Sequence, residues 1–165
     1  GLKKAFEQYG KPLSALTVEE CNGKAEEIIR RLKKLAPDVI FCCNDYFAGR
    51  LISALLMHGI RVPEEIKVIG YDGLALCDLC AVPLATVIQP IRKKAELTVE
   101  LMLKRIEAGD SDSEPARTAV TPYFYPSASC GAENEMLKEF PIYDDRPSLE
   151  MTWTQSLRNI INQED

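Results

Sequence analysis

The stretch Val39-Ile-Phe-Cys-Cys-Asn-Asp-Tyr-Phe-Ala-Gly-Arg-Leu-Ile-Ser-Ala-Leu-Leu-Met-His-Gly59 decides the fold. Val39 to Cys43 is a continuous apolar run of strand length, the pattern expected of a strand buried on both faces. Asn44-Asp45 stops it. From Tyr46 to His58 the apolar residues Phe47, Leu51, Ile52, Leu55 and Leu56 recur at helical spacing, and Gly59 provides the C-terminal stop. A strand followed at once by a helix is half of a βαβ unit, and the period then repeats. Val62 to Lys67 is a short connection, and Val68-Ile-Gly-Tyr71 is a second strand ending on Asp72-Gly73.

Leu74 to Cys80 has room for one or two helical turns. Leu84-Ala-Thr-Val-Ile88 is a third strand, with β-branching at Thr86 and Val87. Gln89-Pro90 ends it, and Pro90 is well placed to open a helix from Ile91 to Glu107 that stops at Gly109. Ala95, Leu97, Val99, Leu101, Met102 and Ile106 supply its apolar side. Asp110 to Glu114 reads as an acidic loop. Thr118 to Ser129 is a fourth extended stretch, and its Pro122 and Pro126 suit a sheet edge or a crossover.

Upstream, Leu2 to Tyr9 reads as the last turns of a helix ending at Gly10, as if the chain had been cut from something longer. Thr17-Val-Glu-Glu20 has the form of a capping box for a helix through Lys24 to Leu35. In that helix Ile28, Ile29, Leu32 and Leu35 form the apolar stripe. Arg30, Arg31, Lys33 and Lys34 read as its solvated face rather than a nucleic-acid site.

Strands alternating with helices at this spacing predict an α/β fold, an open, mostly parallel sheet flanked by helices. Ligands of such folds sit beyond the carboxyl ends of the strands. That rule singles out Asn44, Asp45, Asp72 and Gln89, with Asp45 expected mainly to cap the following helix.

Composition narrows the function. The 165 residues are 46% hydrophobic and 27% charged, the balance of a folded domain. Twenty Lys and Arg against 25 Asp and Glu leave a net charge of −5, the wrong sign for a surface that neutralises phosphates. No stretch approaches the ~18 consecutive apolar residues that cross a bilayer. The six cysteines are too sparse for a disulfide framework and read as small buried residues in a reducing cytoplasm. Cys77-Asp-Leu-Cys80 is a CxxC, but it has no second pair and lies within a turn, and His58 is the single histidine, so neither a metal site nor redox catalysis is favoured. There is no phosphate loop, nucleophile elbow or His-containing catalytic set, so no enzyme, cofactor or metal is expected.

From Pro37 to Cys130 the ordered series PDVIFCCNDYFAGRLISALLMHGIRVPEEIKVIGYDG, PLATVIQPIRKKAELTVELMLKRIEAG and TPYFYPSASC resembles the effector-binding domain of the LacI/GalR family of bacterial transcription regulators. The likeness extends less strongly back to Gly1. It implies a partial two-lobed fold of the periplasmic-binding-protein type I kind, with ligand held between the lobes. Residues 1–130 would be the C-terminal part of the effector-binding domain, with 91–117 belonging to the N-terminal lobe. Gln89-Pro90 and Pro122-Tyr123 would be two hinge segments. The rest of the N-terminal lobe and a helix-turn-helix head would precede Gly1, so that DNA is met only outside this chain.

The resemblance carries effector-binding roles onto Asn44 and Asp72, whose carboxamide and carboxylate suit adjacent hydroxyls. The position that often stacks an aromatic ring on the effector is Val18 here, and the clamping arginine would fall before Gly1. The effector implied is a carbohydrate or similar polar metabolite, and the partner implied is a second copy of the chain. Residues 131–165 exceed the family's usual ending. There Leu149, Trp153, Leu157, Ile160 and Ile161 are expected to share one face of an amphipathic helix, which leaves open a different output such as a kinase, cyclase or other DNA-binding module. A lone half-domain leaves sheet edges and a helix face uncovered, so subunit exchange, dimerisation or tail packing is expected.

Overall fold

The computed structural model describes residues 1–20, 25–109 and 117–132. The acidic loop and the amphipathic tail segment fall outside them. Two compact units divide the chain, one running to Leu35 and one starting at Ala36.

The first unit holds helix α1 (Leu2–Gln8), a short 3-10 turn (Leu13–Ala15) and helix α2 (Ala25–Leu35). Gly10, at a positive φ of 61°, closes the end of α1 as its sequence position requires. The expected capping box does not form, because Thr17 to Glu20 are not helical. The Glu19 carboxylate instead accepts from Arg31 at 3.0 Å, and Arg31 also reaches Glu27, one turn back in α2, at 2.8 Å. Both carboxylates hold the Arg31 guanidinium pKa above its ordinary value, the hydrogen bonds to Glu27 and then Glu19 contributing most. Arg30, Lys33 and Lys34 are exposed, the solvated face expected of them, and Ile29 is buried.

The second unit is built on a four-stranded sheet in the order β1 (Val39–Phe41), β2 (Lys67–Asp72), β3 (Ala85–Ile88), β4 (Tyr123–Tyr125). The first three strands are parallel and β4 runs antiparallel to β3. Pro122 and Pro126 bracket β4 and cannot donate to a ladder, which confines that strand to the edge. Helix α3 (Asp45–Met57) connects β1 to β2, and helix α4 (Ile91–Ala108) follows β3.

The register puts Ile40, Cys42, Val68, Gly70, Thr86 and Ile88 on one face of the sheet. Against it packs α3, burying Ala48, Leu51, Ile52 and Leu55. Removing the three large side chains from water is worth about 2 kcal/mol each. Behind the amino ends of β2 and β3, Ser129 is fully buried. Its Oγ donates to the Val68 carbonyl at 2.6 Å and accepts the Ala85 N–H at 2.8 Å, linking the two central strands.

One strand differs from expectation. β1 is not buried on both faces, and among the described residues it pairs with β2 alone, at the sheet's other edge. Val39 and Phe41 are 47% and 41% exposed, while Cys42 on the α3 face is buried. An apolar run reports at least one packed face and does not distinguish edge from centre. Phe41 packs edge-on to Tyr71 along the open face, ring centroids 6.3 Å apart. The apolar side of α4 is also largely exposed, with Val99, Met102 and Ile106 all more than half accessible. Gly109, at φ 62°, ends that helix as its residue type requires.

Candidate functional site

The carboxyl ends of β1, β2 and β3 bring their polar residues together. At the end of β1, Asn44 is extended, and its Oδ1 accepts the Phe47 N–H at 2.7 Å, the N-cap bond of α3. Its Nδ2 group remains as a donor beside the strand end.

Asp45 has a different role from the cap expected of it. The capping bond belongs to Asn44, and the Asp45 side chain turns inward, with none of its surface exposed. One carboxylate oxygen accepts the Thr86 hydroxyl at 2.5 Å, and the other accepts the Leu74 N–H at 2.7 Å. Thr86 Oγ1 in turn accepts the Gly73 N–H at 3.3 Å. The carboxylate thus ties the start of α3, the centre of β3 and the loop after β2. Gly70 makes room for it, since a Cβ there would overlap Asp45 Oδ1. Buried charge is tolerated when hydrogen-bonded on both oxygens, as here.

At the end of β2 the backbone turns sharply. Asp72 holds φ at 121° and Gly73 at 78°, and a Cβ on Gly73 would meet the Ile88 side chain at 2.7 Å. Positive φ at a residue other than Gly costs on the order of 1–3 kcal/mol and persists only where its surroundings over-determine it. The N–H groups held by Thr86 and Asp45 at Gly73 and Leu74 provide that restraint. Asp72 Oδ1 accepts from Gln89 Nε2 at 2.6 Å, so the ends of β2 and β3 are joined through side chains. Gln89 Oε1 accepts from Lys94 Nζ in the first turn of α4.

The structure therefore brings Asp72 and Gln89 into direct contact. It places Asn44 next to Asp45, which holds the loop that follows Asp72. Ile88 pairs with Tyr123, so Gln89-Pro90 and Pro122-Tyr123 leave the sheet as neighbours. Val18 lies in the first unit, 76% exposed. Sequence reasoning missed Thr86, Gly70 and Lys94, whose roles depend on contacts far apart in the chain or on one side-chain direction. Tyr46 is a 63% exposed ring in the first turn of α3 with the Arg50 guanidinium 5.9 Å from its centroid.

Cys77 is buried and Cys80 half-buried, both as thiols, and Cys80 Sγ contacts the Leu76 carbonyl at 3.4 Å. Burial, with the Asp45 and Asp78 carboxylates nearby, pushes the Cys80 thiol pKa up, opposite to the shift an attacking thiolate needs. Among the described residues no group of three or more His, Cys, Asp or Glu is placed to hold a metal ion. Among them, too, no helix is long and apolar enough to cross a membrane.

Residues 2–130 match the family described as periplasmic binding protein-like domain. The chain belongs to that family. Its relatives are LacI-type regulators, as the ordered strand and helix motifs implied. It is 33% identical over 117 residues to the HTH-type transcriptional repressor PurR of Vibrio vulnificus (strain CMCP6), an alignment covering 68% of this chain and 35% of that repressor. Among solved structures it is similar to a LacI family transcriptional regulator from Arthrobacter sp. FB24 in complex with lactose. That match is 29% identical with a TM-score of 0.56, over 64% of this chain and 40% of the other. A LacI family transcriptional regulator from Enterococcus faecium with bound ribose is 27% identical with a TM-score of 0.63, over 78% of this chain and 48% of the other. The chain spans about a third of the length of this PurR relative. These relatives are transcriptional regulators rather than enzymes.

Proposed function

We propose that this chain is the ligand-reading part of a LacI/GalR-type regulator, in which a small polar effector binds at the carboxyl ends of β1 to β3 and alters DNA binding elsewhere in the protein. The observation that carries the reading is the join of Asp72 to Gln89 at 2.6 Å, with Asn44 at the end of the adjacent strand β1, three strand-end side chains with hydrogen-bonding capacity left over. Asn44 and Asp72 are the effector-binding groups in this reading. Residues 1–130 form the C-terminal part of the effector-binding domain, with 91–117 in the N-terminal lobe. Gln89-Pro90 and Pro122-Tyr123 act as the hinge, where small backbone rotations open and close a cleft. Val18 takes the place of a stacking aromatic in this reading.

The effector is a carbohydrate in the first reading, supported by the lactose and ribose held by similar regulators. A purine-related effector is the second, favoured by the PurR repressors among the relatives. The protein works as a cytoplasmic homodimer that meets DNA through a region outside this chain. The test is thermal stabilisation of the full-length protein against a panel of sugars and purine bases, repeated with Asp72→Ala. An effector that stabilises the parent and not the variant supports the site. Equal stabilisation of both sinks it.

A further inference from the structure

Gln89 sits between two groups of opposite hydrogen-bonding character. Its Nε2 donates to Asp72 Oδ1, and its Oε1 accepts from Lys94 Nζ. A carboxylate only accepts and an ammonium only donates, whereas a carboxamide has one end of each kind. Only one orientation of the Gln89 carboxamide satisfies both neighbours. The flipped one would set carbonyl oxygen against carboxylate and NH2 against ammonium. In the observed orientation three capacities remain unused by these bonds: the second N–H on Nε2, a further lone pair on Oε1, and Asp72 Oδ2. The backbone is coupled as well, with the Gln89 N–H approaching the Asp72 carbonyl at 3.4 Å and Pro90 leading directly into α4.

We propose that Lys94 is a positioning residue that locks the polarity of Gln89, so that Gln89 reads the effector as an N–H donor beside the acceptor oxygen of Asp72. This rests on the strand ends being the effector site. The effector that fits carries a donor and an acceptor on neighbouring positions, as vicinal hydroxyls of a sugar do, or an N–H and C=O edge of a purine. A group with acceptors only meets the Asp72 carboxylate unfavourably. Because Lys94 lies in the first turn of α4, a ligand that draws Gln89 toward itself also acts on the start of that helix.

The lock is tested without an effector by labelling glutamine side chains of the full-length protein with 15N. The Gln89 signal is assigned by its loss in Gln89→Glu. The expected result is a Gln89 NH2 pair displaced from the position of exposed glutamines, collapsing toward it in Lys94→Met and restored in Lys94→Arg, with the melting temperature unchanged in both. A Gln89 signal that stays in place in Lys94→Met overturns the lock. The reading role is tested by titrating ribose, lactose and guanine. For any that bind, Lys94→Met is expected to weaken binding about tenfold and Lys94→Arg to retain it, the scale of one charge-assisted hydrogen bond. Unchanged affinity in Lys94→Met overturns the reading role. Collapse of the Gln89 signal without binding of any probe overturns that role together with the reading of the site, while the lock itself stands.

Discussion

The Asp45 carboxylate accepts the backbone N–H of Leu74 at 2.7 Å across 29 residues of chain, and so holds the turn that carries Asp72. With Thr86 on its other oxygen, Asp45 is the internal support of the strand-end cluster.

Asp45→Ala leaves the part-buried Leu74 N–H and the buried Thr86 hydroxyl without their Asp45 partner. Each such orphan costs about 1–3 kcal/mol, so a loss of about 3 kcal/mol is expected from denaturant unfolding. Asp45→Asn keeps one acceptor and should cost about 1 kcal/mol. Equal stability of the Ala variant and the parent would refute the assignment.

Gly70→Ala drives a Cβ into Asp45 Oδ1 and to 3.1 Å from Leu84 Cδ2. Overpacking of this kind costs about 1–3 kcal/mol. In the double variant with Asp45→Ala the extra cost of the added methyl should shrink, because the atom it meets is gone. Strict additivity in that cycle would show that the two sites do not touch.

Asp72→Gly and Asp72→Ala both remove the carboxylate, but only Gly relaxes the backbone at φ 121°. The Gly variant should be the more stable of the two by about 1 kcal/mol, read from thermal melts. Should the Ala variant melt higher, the positive φ carries no strain.

Ser129→Ala removes both side-chain bonds by which Ser129 bridges Val68 and Ala85, in addition to the strand ladder, and leaves the Ala85 N–H buried and unpaired. A loss of about 2 kcal/mol is expected, with amide exchange rising first at Ala85. Exchange that stays uniform along the two strands would contradict this.

Burial raises the Cys80 thiol pKa, so the folded state resists losing that proton more than the unfolded chain does. The sign follows: stability is unaffected below the ordinary thiol range and falls as pH rises through and above it, since the unfolded state then ionises first. The alkaline decline of the melting temperature should lessen in Cys80→Ala. At neutral pH Cys43, exposed at the end of β1, should react with a thiol reagent before Cys80.

Local punctuation made much of this protein readable from its residues. The apolar runs ending on Asn44, Asp72 and Gln89, the helical spacing from Phe47 to Leu56, and the stop at Gly109 each act within a few residues. They were enough for an open α/β sheet, for the polar strand ends and for the family. Proline at 122 and 126 likewise pointed to a sheet edge or a crossover before any partner strand was known, and the fold made it an edge. What only the tertiary structure decided is pairwise and distant in sequence. Asn44 took the capping bond because its extended backbone aims Oδ1 at the Phe47 N–H, which released Asp45 to turn inward to Thr86 and Leu74, 41 and 29 residues away. The same holds for β1, which the order of the sheet made an edge. A residue's propensity is written in its own neighbourhood, but the group that satisfies a buried carboxylate is chosen by how the whole chain packs.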